Sequence, residues 1–214
     1  IKSIYAKYKK MEQLIEGALA FVPAFNIPML GIQESTSIVS ALLNGTEISN
    51  RRITVVTPYF NPCPKIFFNA NTRNLRIITA SPPCNSFFKA KGFKSLIPRF
   101  YRLNLRDFAF KRPNSELYEY CRKDWTFHAK GIFLTDGPET IFSIGSSNFN
   151  RRSFYRDIEL DFFVSSKTAS TSNYVEDFLQ KIIKYTTKET FDSLNLKIGK
   201  SLLDLSRRLM LRYF

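Results

Sequence analysis

One stretch of the sequence concentrates residue types that together could do chemistry on a phosphate. It reads W-T-F-H-A-K-G-I-F-L from Trp125, S-I-G-S-S-N-F-N-R-R-S from Ser143 and D-I-E-L-D from Asp157. His128 and Lys130 lie two apart on an expected strand, so their side chains leave the same face. Asn148 follows the next expected strand, in a Gly-Ser turn beginning at Gly145 whose backbone can approach a ligand closely. Glu159 falls on a third strand. If the three strands are neighbours, one site holds an imidazole, an ammonium, an amide and a carboxylate. Phosphoryl chemistry without a metal wants that set. The imidazole attacks phosphorus or moves a proton. The lysine and the asparagine amide hold non-bridging oxygens as negative charge grows. The carboxylate fixes the histidine tautomer and stabilises its charged form.

Each residue also has a plainer reading. A histidine on an apolar strand is usually structural, and Lys130 alone would be a surface lysine. Glu159 could pair with a neighbouring arginine instead of orienting His128. Ser146 and Ser147 shape the turn, or turn a hydroxyl toward a phosphate oxygen. Arg151 and Arg152 read equally as phosphate ligands or as a solvated turn.

The elements that must position these groups alternate between strand and helix. Residues 1–20 carry Tyr5, Tyr8, Met11, Leu14 and Ile15 at helical spacing. A loop with two prolines follows, then a helix around 34–44 with Ser35 or Ser37 as its cap. The β-branched run at 52–60 predicts a buried strand, a short helix is expected at 64–71, and a second strand at 75–81. That order predicts a parallel pair. Residues 82–124 read as irregular apart from a helix near 93–103. Strands are expected for 125–135, for T-I-F-S-I-G and for D-I-E-L-D-F-F-V-S, and the tail from about 171 to 214 reads as helical. The expected fold is α/β, a mixed sheet flanked by helices, with residues 1–214 forming one lobe.

Composition leaves several partners open. The chain has 214 residues, 44% hydrophobic, with 32 basic against 18 acidic side chains and a net charge of +14. That argues against disorder and draws the chain toward polyanions: nucleic acid, an anionic membrane surface or a phosphorylated substrate. Three scattered cysteines and one histidine make no zinc site and read as reduced thiols of an intracellular compartment. The most apolar stretch, 17–32, is interrupted by Pro23, Asn26 and Pro28, so no spanning helix is expected. A start at Ile1 rather than Met reads as a fragment, a processed product or a truncated gene model.

H-x-K followed by G-S-x-N and a carboxylate about ten residues on looks like the HKD motif of the phospholipase D superfamily. The Asp usual five residues after the lysine is replaced by Thr135, with Asp136 one step late. That departure resembles the second motif of the phosphatidylglycerophosphate synthase family. T-P-Y-F-N at 57–61, I-I-T-A-S-P-P-C-N-S-F-F-K-A-K-G at 77–92 and I-P-R-F-Y at 97–101 also resemble blocks of that family, with Ser86 where a glycine is usual after Asn85. The resemblance covers roughly residues 22–165.

The resemblance implies a phospholipase D-like lobe and a reaction. CDP-diacylglycerol and sn-glycerol 3-phosphate give phosphatidylglycerophosphate and CMP through a phosphohistidine, on the way to phosphatidylglycerol and cardiolipin, at the mitochondrial inner membrane. His128, Lys130, Asn148 and Glu159 would be catalytic. Gly145, Ser146, Ser147, Arg152, Asn85 and Lys91 would bind substrate; Lys89, Lys91 and Lys94, among Phe87, Phe88 and Phe93, would grip headgroup or nucleotide, or form an ordinary basic loop. No metal or other cofactor is implied, although magnesium could assist the nucleotide. The superfamily uses two histidines across one phosphorus, and this chain has one. An N-terminal lobe with a first motif, or a second chain, would supply the other and would commonly supply the nucleophile, leaving His128 as general acid and base. Within the superfamily a phospholipase D or an endonuclease is the rival. Outside it stands an inactive half-enzyme that only binds anionic lipid, and the stretch S-L-L-D-L-S-R-R-L-M-L-R-Y-F reads as a packing helix or a membrane-surface helix. The family blocks weigh against nucleic acid as the partner.

Overall fold

The β-branched run Ile53, Thr54, Val55, Val56 is buried on both sides and forms the middle of the molecule. Alternate residues of a strand face opposite layers, and here Val55 and Ile77 join one apolar cluster while Val56 and Ile78 join another. The computed structural model describes residues 19–46, 49–70, 72 and 74–194. Among them lie nine strands of one sheet: β1 (Leu19–Ile27), β2 (Ile32–Gln33), β3 (Arg52–Thr57), β4 (Asn74–Ala80), β5 (Glu116–Tyr120), β6 (Gly131–Leu134), β7 (Thr140–Gly145), β8 (Glu159–Ser166) and β9 (Thr186–Glu189). Their order across the sheet is β2-β1-β8-β7-β6-β3-β4-β5-β9. β3, β4 and β5 run parallel, and every other pairing is antiparallel.

Helices cover the two faces unequally. On one face α1 (Glu34–Asn44) buries Ile38, Val39 and Leu43, α2 (Pro64–Phe67) buries Ile66 and Phe67, and α3 (Ile97–Lys111) adds Leu105 and Phe108. α4 (Arg151–Tyr155) contributes Phe154 to the same layer. On the other face α5 (Ala169–Ile183) packs Val175, Leu179 and Ile182 against Val56, Ile78 and Phe133. Beyond the cover of α5, Leu19, Phe21 and Phe25 of β1, Phe162 of β8 and Ile144 of β7 are exposed. The register sets Ile144, Phe162 and Pro23 side by side across three strands. No helix among the described residues is long and apolar enough to cross a membrane.

The sheet departs from the sequence reading in four places. In the two-proline stretch expected to be a loop, Pro23 lies in β1, which pairs with β8 from Leu19 to Asn26, and Pro28 opens the 3-10 turn Pro28–Leu30. Among the described residues the other side of β1 meets only the two residues of β2, at Asn26 and Ile27, so there Pro23 sits on an unpaired edge where a missing N–H is tolerated. β5 lies inside 82–124, a region read as mostly irregular. The strand expected over 125–135 is confined to Gly131–Leu134. The tail does not stay helical: after Ile183 the chain adds β9 against β5, because T-T-K-E supplies β-branched residues for an exposed edge. The helix read for residues 1–20 falls almost wholly outside the described residues, as does S-L-L-D-L-S-R-R-L-M-L-R-Y-F.

Other expectations match closely. α1 spans Glu34–Asn44, although neither expected serine caps it: Ser37 donates back to the Gln33 carbonyl at 2.7 Å and Ser35 points to Asp161. β3 and β4 form the expected parallel pair. Asp136 sits at the far end of β6, where it accepts from the Arg52 N–H at 2.7 Å and pairs with Arg51, so it ties the strands together away from His128.

Candidate active site

Strand direction delivers the four candidate catalytic residues to one end of the sheet. Val56, next to last in β3, pairs with Gly131, the first of β6, and Gly145, the last of β7, pairs with Asp161 near the start of β8. His128 and Lys130 lie just before β6, Asn148 lies three residues after β7, and Glu159 opens β8 opposite Asn26 of β1. The convergence is a property of the topology. It does not need His128 to be in a strand, and His128 sits in the extended segment ahead of β6.

Lys130 is the centre of the cluster. Its Nζ lies 3.1 Å from Nδ1 and 3.3 Å from Nε2 of His128, and it donates to the His128 carbonyl at 3.1 Å. An ammonium has no acceptor, so this position favours the unprotonated ring. Partial burial, and then the Lys130 charge, hold the His128 pKa below its ordinary value. Burial likewise lowers Lys130, opposed by the attraction of Glu159. Glu159 is buried, 6% exposed, and no hydrogen bond joins it to His128. The carboxylate expected to orient the imidazole acts on the ammonium instead. The ring of Tyr59 meets His128 edge-on at 6.0 Å.

Asn148 is held by its backbone. Its N–H donates to Ser153 Oγ at 3.1 Å, and its carbonyl accepts from the Thr57 hydroxyl. Its Oδ1 is buried without a hydrogen-bond partner, a condition that costs about 1–3 kcal/mol and leaves the amide available to a ligand. Phe149 follows with φ of 48°, a left-handed conformation rare for a bulky residue, and its ring is buried. Asn150 caps α4, accepting from the Ser153 N–H at 2.9 Å while its amide donates to the Tyr59 carbonyl at 3.3 Å.

The small residues of the turn serve β8. A Cβ on Gly145 would lie 2.0 Å from Asp161 Oδ1 and 2.6 Å from the Leu160 carbonyl, so only glycine fits. The Ser147 hydroxyl donates to Asp161, and its N–H reaches the same carboxylate at 3.2 Å. Ser146 Oγ accepts from the Leu160 N–H at 3.0 Å. These three positions, expected to bind substrate, make their contacts within the protein. Asp161 was missed by the sequence reading. It is 1% exposed and also accepts from Ser35 Oγ. Its signal was the last acid of D-I-E-L-D, on the same strand face as Glu159.

The remaining candidates lie around this centre. Arg152 is half exposed and paired with Asp157 at 2.9 Å. Both charges reach the Tyr101 phenol, whose pKa burial pushes up and whose ring lies 5.5 Å from Tyr59. Asn85 is buried; its Oδ1 accepts from the Phe87 N–H at 3.0 Å and its Nδ2 has no partner. Ser86 is tied to the Tyr59 hydroxyl, which anchors this loop to the site. Lys91, just before the 3-10 turn Gly92–Leu96, is exposed, and no ion pair ties it to the cluster.

Comparison with known proteins bears on this geometry. A family model described as cardiolipin synthase, PLD-like domain, matches residues 35–182. The mitochondrial CDP-diacylglycerol--glycerol-3-phosphate 3-phosphatidyltransferase of Gallus gallus is 34% identical over 148 residues, 64% of this chain and 26% of that protein. The enzyme of the same name from Saccharomyces pastorianus is 30% identical over 184 residues, 74% of this chain and 35% of that protein. The chain therefore spans about a quarter to a third of the length of these curated relatives. Among solved structures, phosphatidylserine synthase of Haemophilus influenzae aligns with a TM-score of 0.72 at 18% identity, over 89% of this chain and 45% of that one. Nuc, a phospholipase D family member from Salmonella typhimurium, aligns with a TM-score of 0.54 at 13% identity, over 80% of this chain and 99% of that one. Both share the fold.

Proposed function

Because the chain belongs to the cardiolipin synthase, PLD-like domain family, we propose that it carries one histidine–lysine half of a phosphatidyltransferase site. The reaction is transfer of the phosphatidyl group of CDP-diacylglycerol to sn-glycerol 3-phosphate, giving phosphatidylglycerophosphate and CMP. The observation that carries this reading is the gathering of His128, Lys130, Asn148 and Glu159 at one end of the sheet.

In the proposed cycle a second histidine, from a preceding lobe or another chain, attacks the phosphorus joined to diacylglycerol. The bond to the CMP oxygen breaks, and protonated His128 gives that oxygen its proton. His128 then takes the proton of the glycerol 3-phosphate hydroxyl, whose oxygen displaces the phosphohistidine and restores it. Lys130 and the Asn148 amide hold the non-bridging oxygens. The bound diphosphate offsets the Lys130 charge, so His128 is easier to protonate with substrate present than without. Glu159 keeps Lys130 charged in its partly buried place. No metal is needed, and magnesium would act only on the nucleotide. We place the reaction at the anionic surface of the mitochondrial inner membrane, in line with the names of the relatives.

CMP release from CDP-diacylglycerol by the full-length protein tests the reading. Release should depend on glycerol 3-phosphate, and His128→Ala should lower it by about 10²–10⁴-fold. The net charge of +14 also suits a nuclease of the same superfamily, and cleavage of DNA in place of CMP release would overturn the transferase.

A further inference from the structure

The imidazole of His128 is shared between two spaces. One is the cluster with Lys130. The other is a cleft of about 590 Å³ between the 121–129 loop and the C-terminal end of α5, and His128 lines it. The volume falls in the range of roughly 300–1,000 Å³ usual for small-molecule sites. Its walls are aromatic and cationic: Arg122, Trp125, Tyr185, Lys181 and Lys184 line it, and no Asp or Glu does.

The cleft is built in advance of any ligand. The Arg122 guanidinium lies 4.0 Å over the Trp125 ring and 4.7 Å over the Tyr185 ring, held between two flat surfaces. Its backbone is fixed as well, since the Arg122 N–H donates to Cys84 Sγ at 3.2 Å and the Arg122 carbonyl accepts from it at 3.3 Å. The Cys121 N–H donates to the Tyr185 carbonyl at 2.8 Å, which closes the loop against the end of α5. Trp125 remains 54% exposed, a large ring face left in contact with water beside three cations. Lys181 is already paired with Asp177 at 2.6 Å, which leaves Arg122 and Lys184 as the cations without a carboxylate partner among the cleft walls.

We propose that this cleft holds the nucleotide half of the substrate, with the ring against the exposed face of Trp125 and the phosphate on Arg122 and Lys184. This rests on the transferase reading in one respect, the role of His128. A general acid must reach the oxygen that leaves, so the leaving nucleotide lies on the side of His128, and the space that opens from His128 on that side is this cleft. Stacked rings supply affinity for a base, and a guanidinium supplies paired donors for a phosphate.

The only tryptophan of the chain is Trp125, so its fluorescence reports on the cleft directly. In these 214 residues alone, CMP should change the Trp125 emission and bind more tightly than inorganic phosphate or cytidine alone. Arg122→Ala and Lys184→Ala should each weaken CMP by about tenfold, Arg122→Lys by less, and Lys181→Ala least of all. Calorimetry on Trp125→Phe checks that binding persists when only the signal is removed. Unchanged emission at millimolar CMP, or CMP affinity unaltered in both Arg122→Ala and Lys184→Ala, overturns the proposal. The two readings fail separately. Phosphatidyl transfer with an unchanged KM for CDP-diacylglycerol in both variants ends the cleft assignment and leaves the transferase standing. CMP bound as expected by a protein that transfers nothing ends the transferase and leaves a nucleotide site.

Discussion

Lys130 lies against the imidazole and within electrostatic reach of the Glu159 carboxylate, and its charge acts on the ring. With the lysine charged, His128 is held below its ordinary pKa of 6.5, through burial first and the ammonium second. Lys130→Met removes the second cause, and the His128 titration should move upward. One histidine in the chain makes its ring resonance unambiguous in a proton NMR titration, and a midpoint that stays put or falls would show that Lys130 does not set it. In the full-length protein carrying the same substitution, phosphatidyl transfer should fall by about 10²–10³-fold, because a positioned donor to the developing charge is lost. That His128, Lys130, Asn148 and Glu159 would gather at one end of the sheet was legible in the sequence, since motif spacing and the expected strands carry it. Which of them touch was not. Glu159 lies 31 positions from His128 in the chain, and its effect on Lys130 follows from the order of β6, β7 and β8. Ser146 and Ser147, read as shaping the turn or turning a hydroxyl toward a phosphate oxygen, are bound to β8, because Asp161, whose burial no local pattern discloses, claims one of them.

At the scale of elements, the pieces hardest to read were those at the rims of the sheet. β1 carries Pro23 and is apolar at nearly every position, and β9 is four polar residues, so neither sequence shows the polar–apolar alternation that marks a half-buried strand. The central strands β3 and β4, buried on both faces, were plain as apolar runs. β9 is held by more than its ladder. Arg102 of α3 reaches Glu119 of β5 at 3.4 Å and Glu189 of β9 at 3.6 Å. Burial pushes Glu119 up to about 7, opposed by Arg102 and reinforced by the like charge of Glu189. The folded chain therefore holds a proton on Glu119 that the unfolded chain, near 4.5, has released. The stabilisation from this proton is complete below about pH 4.5 and fades as pH rises through about 7. Glu119→Gln, neutral at every pH, should flatten the fall in urea midpoint between about pH 5 and 8. A variant whose midpoint falls as steeply as that of the parent would remove Glu119 from the account.

For the molecule as a whole, the uneven cover of the sheet sets two forces against each other. α5 shields the half around β3 and β6, while Phe21, Phe25, Ile144 and Phe162 face water on the other half. An excess of 14 positive charges pushes copies apart at a range of about 30 Å in 0.01 M salt, shrinking to about 8 Å at 0.15 M. Apolar contact is not screened by ions in this way. Dilute buffer should therefore keep preparations of this chain monodisperse, and added sodium chloride should drive reversible clustering, visible as a rise in light scattering. Phe21→Ser combined with Phe162→Ser should blunt that rise, and a scattering curve indifferent to salt would deny the balance. Ionic strength thus becomes a dial on colloidal behaviour, turned by the bare aromatic side of one sheet.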